Sequence, residues 1–247
     1  MSSIVERIRY VGAHPKNVGG QRRAEDIKYL VYHYTGNDGD TAAANAKYYR
    51  DTVVQASAHY FVDDTEIVQS VGDFTAAWAV GGKLWLDCAR TGGGTLYGVV
   101  TNGNSLSIEM CGTRKNGFRE ASETTLRNAA ALGKLLMERY SIPIERVVRH
   151  FDVTGKHCPA YMMDETAWQA FKSRLTDGEE NSMKRYNTVK EISDAAPWAV
   201  ETVEKLIGKG VIRGGGLRDT KGRPADMDLS MDMLRLLVWH DRAGVYG

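Results

Sequence analysis

The sequence predicts an α/β fold in which helices flank a mixed central β-sheet, followed by a small, mainly helical C-terminal domain. Short apolar runs alternate with helical patterns along the first 176 residues, as in layered α/β proteins. Within this part, residues 126–140 carry apolar side chains at the spacing of a helix with one buried face. A polar stretch at 176–182 then separates this part from a shorter one with helical patterns of its own.

The composition narrows the class of protein. The chain has 247 residues, of which 43% are hydrophobic, enough for a substantial core. Lys and Arg total 32 against 31 Asp and Glu, and this balance argues against binding nucleic acid by neutralising phosphates. No apolar run approaches the roughly 18 residues that span a bilayer, and the N-terminus lacks the apolar segment of a signal peptide. We therefore expect neither membrane insertion nor signal-directed export.

The first half contains a regular order of elements. They are a buried strand at 29–32, a helix at 41–50 and a strand pair at 59–62 and 66–69. The strand at 29–32 is predicted from an uninterrupted apolar run. The helix is Ala-rich, and Asp40 or Thr41 can serve as its N-cap. The paired runs flank two aspartates, which are typical turn residues.

The next elements follow a long glycine-rich stretch at 72–98, which has weak periodicity and is predicted to be a loop. A loop of that length inside a compact domain is often functional. Residues 105–111 alternate polar and apolar side chains and predict a half-buried strand. After the helix at 126–140, a strand starts at Val147 and leads into His150.

The polar stretch indicates a domain boundary. We predict a first domain over residues 1–176, a linker at 177–183 and a C-terminal domain over 184–247. In the C-terminal domain, Asp194 is expected to cap a helix that has Pro197 in its first turn, buries Trp198 and ends at Gly210. Ser230 is expected to cap a second helix.

Two histidines and one cysteine occupy informative positions. His33 and His150 each follow directly on an apolar strand, and Cys158 comes eight residues after His150. Two imidazoles and one thiolate can bind Zn²⁺ and leave a fourth position open for water. Spacing alone does not bring the three together. The same residues are also compatible with two strand-end histidines bonded to the backbone and one buried cysteine.

Four motifs occur in a fixed order between residues 25 and 175. They are YLVYHYT at 29–35, SAHYFVDD at 57–64, NSLSIEMC at 104–111, and RH at 149–150 followed by GKHCP at 155–159. In this order the sequence resembles the zinc-dependent N-acetylmuramoyl-L-alanine amidases of the type-2 amidase family. That family includes phage endolysins and is related to peptidoglycan recognition proteins. The similarity is greatest to amidase endolysins of phages that infect Gram-positive bacteria.

The resemblance implies roles for individual residues. His33, His150 and Cys158 correspond to the zinc ligands of the family. Glu109 corresponds to the strand glutamate that acts as general base and acid. Lys156 corresponds to the lysine two positions before the third ligand and would donate to the developing oxyanion.

Three further positions are compared with the family. Ala58 stands where other members have a tyrosine, so Glu109 would carry more of the proton transfer. His59 is a candidate substrate-binding residue, with simple packing as the alternative. Trp78 lies in a segment that lines the cleft in the family, and could contact sugar or stem peptide or belong to the core. No role is assigned to Cys88.

The implied activity is hydrolysis of the amide between the lactyl group of N-acetylmuramic acid and L-alanine of the peptidoglycan stem peptide. Two alternatives are a non-catalytic peptidoglycan-binding protein and a cytoplasmic amidase that recycles muropeptides. With no signal peptide, an endolysin is expected to stay in the cytoplasm of the bacterial host until it is released to the cell wall.

The C-terminal domain has a weaker resemblance. The pattern over residues 197–214 resembles an S-layer-homology module, and the Leu229-Ser230 pair followed by a helix continues it. The resemblance implies a cell-wall-binding unit. The alternative is a unit for self-association, which would make the protein a homo-oligomer.

Overall fold

The computed structural model describes Val5 and residues 8–115, 117–176 and 185–246. Its internal contacts divide the chain into two compact units, Met1–Thr176 and Asp177–Gly247. Each unit has its own hydrophobic cluster. The linker predicted at 177–183 lies outside the described residues.

The first unit combines strands and helices in alternation. Its strands are β1 (Arg9–Tyr10), β2 (Val18–Gln21), β3 (Tyr29–Tyr34), β4 (Tyr60–Val62), β5 (Ile67–Gln69), β6 (Thr75–Ala77), β7 (Ser105–Met110) and β8 (Val147–Arg149). Its helices are α1 (Ala42–Asp51), α2 (Cys88–Thr91), α3 (Glu123–Tyr140), α4 (His150–Thr154) and α5 (Glu165–Thr176).

The main sheet has the strand order β1-β5-β4-β7-β3-β8. The pairs β1–β5, β4–β7, β7–β3 and β3–β8 are parallel, whereas β4 and β5 form an antiparallel hairpin. The mixed sheet predicted from the sequence is therefore confirmed. A separate antiparallel pair joins β2 to β6.

Helices cover both faces of the main sheet, so its central strands β3 and β7 are largely buried on both sides. On one face, α3 and α5 pack against alternate residues of β3 and β7, including Tyr32 and Ile108. Gly133 of α3 lies so close that a side chain there would collide with the Tyr32 hydroxyl. On the other face, α1 packs against Phe61 of β4.

Parallel strands bring the candidate site together at one edge of the sheet. His33 and Glu109 lie near the carboxyl ends of β3 and β7 and are register partners. β8 pairs with the other side of β3, and His150 follows its last residue. The carboxyl ends of neighbouring parallel strands are the usual position for a functional site in an open α/β sheet.

The second unit is small and mainly helical, as predicted. Its elements are β9 (Arg185–Tyr186), α6 (Val189–Ala195), α7 (Val200–Gly208), β10 (Leu229–Ser230) and α8 (Met231–Arg242). β9 and β10 pair antiparallel. The Ser230 hydroxyl accepts a hydrogen bond from the Met233 N–H, so the predicted N-cap of the last helix is confirmed.

Two predictions about local structure are wrong. Asp194 lies inside α6 and does not cap the following helix, because the chain turns at Ala196 before Pro197 begins a 3-10 turn. A residue that precedes proline is disfavoured in helical geometry, so the two helical patterns cannot merge. Trp198, expected on the buried stripe, is 45% exposed.

The stretch at 72–98 is also more ordered than the sequence suggests. It contains β6, which pairs with β2, and the short helix α2. Both depend on partners distant in sequence, and periodicity within the stretch does not reveal them. Among the described residues, no helix has the length and apolarity needed to cross a bilayer.

Candidate metal centre

His33 is placed by β3. Side chains alternate along this strand, so His33 shares a face with Val31 and lies opposite Tyr32. The imidazole is 1% exposed. Its Nδ1 lies 3.9 Å from Sγ of Cys158. The strand therefore presents a buried ring nitrogen to the loop that carries the cysteine.

His150 and Cys158 are fixed by a tight local structure after β8. His150 is the first residue of α4, and Asp152 closes the start of this helix by accepting from the Arg149 backbone N–H at 2.7 Å. The Phe151 N–H donates to the Cys158 carbonyl at 2.9 Å and so ties the two ends of the segment together. We call residues 150–158 the ligand loop.

The three predicted ligands meet in space. One donor atom each from His33, His150 and Cys158 lies within 4.8 Å of the other two, and all three residues are buried. The His33 and His150 rings are in edge contact, with centroids 4.6 Å apart. Among the described residues, this is the group of His, Cys, Asp and Glu side chains with the proximity required to bind a metal ion.

The chemistry of the donors fits a cation such as zinc. Burial lowers the pKa of His150 to about 4 and that of His33 well below its ordinary value, so both rings are neutral, the form that binds metal. Within the described residues, buried His33 Nε2 and His150 Nδ1 have no hydrogen-bond partner. Burial raises the pKa of the Cys158 thiol to about 12, so its thiolate needs a nearby positive charge.

Glu109 lies beside this group. Its Oε1 is 3.9 Å from Nδ1 of His33, and its side chain is 19% exposed. The other carboxylate oxygen is buried without a hydrogen-bond partner among the described residues. Burial raises the pKa of Glu109 to about 7, while the nearby positive charge of Lys156 opposes that rise. The Glu109 carboxyl thus lies beside the three candidate ligands, and its Oε2 has no structural hydrogen-bond partner among the described residues.

Lys156 is exposed and belongs to the ligand loop. Its charge contributes to lowering the pKa of both His33 and His150, after the larger effect of burial. It lines a cavity of about 550 Å³ that His150 and Trp78 also line. Trp78 is partly buried, so the structure brings it to the same cavity as the group.

His59 is placed differently. It is 1% exposed, and its Nδ1 accepts from the Ser107 backbone N–H at 3.0 Å. Its Nε2 lies 3.1 Å from the Thr75 carbonyl oxygen and 2.7 Å from Nη2 of Arg22. Burial, with a contribution from Arg22, lowers the pKa of His59 to about 3. These contacts engage both ring nitrogens, so the placement favours packing over the substrate-binding alternative.

Sequence reasoning does not find two parts of the site. Trp85 lines the same cavity as Trp78 and is 44% exposed. Asp87 accepts from Nε2 of His157, the residue before Cys158, at 2.9 Å. Both residues come from the glycine-rich stretch at 72–98. The length of this stretch is the feature of the sequence that indicates a functional loop. Which of its residues reach the site depends on how the loop docks.

Comparison with known proteins places the chain in a family. The model of N-acetylmuramoyl-L-alanine amidases (Amidase_2) matches residues 23–161. N-acetylmuramoyl-L-alanine amidase CwlL of Bacillus licheniformis is 27% identical over 192 residues, covering 74% of this chain and 49% of CwlL. Amidase BlyA of Bacillus subtilis strain 168 is 30% identical over 177 residues, covering 71% of this chain and 46% of BlyA. The chain thus spans about half the length of these curated relatives.

Solved structures give a matching result. The catalytic domain of XlyA is 28% identical, with a TM-score of 0.54, and the match covers 68% of this chain and 99% of that domain. The structure of PlyL is 28% identical, with a TM-score of 0.55, covering 68% of this chain and 96% of PlyL. The family model matches more than half of this chain. The chain therefore belongs to the Amidase_2 family of N-acetylmuramoyl-L-alanine amidases.

Proposed function

We propose that this protein is a zinc-dependent peptidoglycan amidase of the endolysin type. The observation that supports this most strongly is the buried His33, His150 and Cys158 group with the Glu109 carboxyl beside it. Two imidazoles and a thiolate are a donor set that zinc accepts, and three protein ligands leave a position open for reaction. The bond cleaved is the amide between the muramic lactyl group and L-alanine.

The scissile amide is unactivated, so it needs both a stronger nucleophile and a protonated leaving group. Bound zinc would supply Lewis acidity, which polarises the amide carbonyl and lowers the pKa of water to about 7. Glu109 would accept the proton of the attacking water and deliver it to the departing nitrogen of L-alanine. Its carboxyl group can do this because its buried Oε2 has no hydrogen-bond partner among the described residues.

Lys156 would stabilise negative charge that develops on the carbonyl oxygen. Its positive charge acts on both His33 and His150, and the residue lines a cavity that can hold substrate. A donor that acts on developing charge contributes more in the transition state than in the ground state. Lys156 therefore serves the chemical step more than binding of the metal.

The proposed activity is tested on purified Gram-positive cell walls digested with zinc-loaded protein. We expect new L-alanine amino termini without new reducing sugars. New reducing sugars would indicate a glycosidase and contradict the proposal. Walls bound without release of either end would support the non-catalytic binding protein. Cleavage of soluble muropeptides but not of walls would support the recycling amidase.

The C-terminal unit is proposed to bind the cell wall or to self-associate. Either role fits a catalytic domain that must act at an insoluble polymer after release from the host cytoplasm. A wall-binding unit would raise the local concentration of the catalytic unit on its substrate.

Replacing Lys156 with methionine should lower kcat about 10²-fold or more, the loss typical of removing one oxyanion donor. Zinc content should stay stoichiometric, because Lys156 is not among the three ligands. Single-turnover kinetics on a soluble muropeptide, with metal analysis of the same samples, measure both effects.

A suitable control for Lys156→Met is Lys47→Met. Lys47 lies on α1, is largely exposed and pairs with Asp51, so its loss should leave kcat within about twofold. Equal losses in the two variants would contradict a specific role for Lys156.

A further inference from the structure

Residues 81–98, here named the cleft loop, are docked onto the ligand loop. Three of its backbone N–H groups donate to carbonyl oxygens of α4 at 2.9 Å: those of Trp85, Gly94 and Leu96, to Thr154, Phe151 and Asp152. These bonds are independent of side-chain identity and hold the loop along the whole helix. The position of the cleft loop is thus coupled to the segment that carries two predicted ligands.

A side-chain contact adds to this docking. Asp87 pairs with His157, and the ring of Trp85 lies on the same imidazole with centroids 5.4 Å apart and a tilt of 32°. His157 stands between Lys156 and Cys158 in the sequence. The indole of Trp85 therefore packs against the ligand loop, on the residue that precedes Cys158.

The indole lines the cavity of about 550 Å³ beside His150. Trp78 lines the same cavity, so two tryptophans contribute to its walls. Asn102 also lines it, and its Oδ1 accepts from the backbone N–H groups of Ala79 and Val80 at 3.0 and 2.9 Å. With that oxygen occupied, the amide nitrogen of Asn102 is the group available to donate to a ligand.

The volume and the lining indicate a ligand larger than a single amino-acid side chain. Pockets of 300–1,000 Å³ hold small molecules with several rings or residues. Flat indole faces suit the C–H faces of pyranose rings, and an amide donor suits an acetamido carbonyl or a hydroxyl. The charged residues that line this cavity are lysines, Lys83 and Lys156, which suit the lactyl carboxylate of a cleaved glycan.

We propose that Trp85 binds the glycan strand of peptidoglycan and so determines specificity for polymer-linked substrate. This inference rests on the proposed function, because it assigns the side of the reacting amide on which the glycan lies. The glycan would run along the cavity from the three candidate zinc ligands, past Trp78, to the cleft loop.

The test is calorimetric titration of the zinc-loaded full chain with soluble, peptide-free glycan oligosaccharides of alternating N-acetylglucosamine and N-acetylmuramic acid. Loss of one aromatic face should weaken binding about tenfold in Trp85→Ala. Trp85→Phe should recover part of the affinity. Free stem peptide, titrated in parallel, should bind all variants equally.

Leu86→Ala is the matched control. Leu86 is the next residue of the same loop and is fully exposed, and it does not line the cavity. Its loss should change glycan affinity less than twofold. The proposal is overturned if Trp85→Ala binds the glycan as tightly as the unaltered chain, or if the loss falls on the stem peptide instead.

The titration measures binding and needs no turnover, which separates two kinds of failure. Glycan binding that depends on Trp85 in a protein that releases no alanine termini would contradict the amidase and leave the subsite standing. Release of alanine termini with glycan affinity independent of Trp85 would contradict the subsite and leave the amidase standing.

Discussion

Cys158→Ser is expected to abolish stoichiometric zinc binding and, with it, amidase activity. A serine hydroxyl stays protonated near neutral pH and is a poor replacement for a thiolate ligand. Changes to residues that merely orient ligands cost about 10–100-fold in metal affinity, so loss of a direct ligand should cost about 10²-fold or more. Metal analysis after dialysis against a weak chelator measures the loss directly.

Thermal unfolding gives a second measurement of the same effect. A ligand at 1,000 times its Kd stabilises the folded state by about 4 kcal/mol. In a unit of this size that corresponds to a rise in Tm of roughly 10 °C. Excess zinc should therefore raise the Tm of the unaltered protein and raise that of Cys158→Ser by less than half as much.

Two other variants decide whether the effect belongs to this thiol. Cys111→Ser makes the same chemical change at another buried cysteine. Cys111 directly follows β7 and packs in an apolar cluster with Phe61 and Ala46. It should lose stability but keep its zinc. Cys158→Asp restores an anionic ligand and should recover part of the zinc affinity. Full zinc retention by Cys158→Ser would contradict the ligand assignment.

The sheet could be predicted from the sequence because its strands are defined by local pattern. β3 is an almost uninterrupted apolar run, β7 alternates polar and apolar side chains, and their carboxyl ends carry His33 and Glu109. Parallel pairing in register then places these two residues side by side. The strand ends therefore contain much of the information about the site, and the order of motifs supplied the rest.

Other features depend on contacts that no local pattern contains. His59 has the appearance of a site residue in the sequence, yet Arg22 and Ser107, 37 and 48 positions away, bind its ring in the interior. Trp85 reaches the cavity because backbone groups of the cleft loop find carbonyls of α4. The strand β6 likewise exists through pairing with β2. Tertiary docking of irregular segments decides each case.

Glu109→Gln should retain zinc and lose at least about 10²-fold in kcat, the lower end of what general acid–base catalysis contributes. Glutamine keeps the shape of glutamate and one acceptor oxygen, but its amide replaces the other oxygen with a donor and cannot take up and release a proton. The Glu109 carboxyl lies 3.9 Å from His33 Nδ1, outside the donor group itself, so its removal leaves the three ligand atoms in place. Zinc content and single-turnover cleavage of a soluble muropeptide are measured on the same preparation.

The combination of results distinguishes a proton-transfer role from a structural one. A residue that only supported the fold would lower Tm and zinc content along with activity, as Cys158→Ser is expected to lower zinc content. A proton carrier should lower kcat alone, with KM and zinc-dependent Tm preserved, and Glu109→Ala should lose about as much kcat as Glu109→Gln. Normal cleavage rates in either variant would show that another group moves the proton. Glu109 is the register partner of His33 on the neighbouring parallel strand, and packing rather than catalysis would then explain this position.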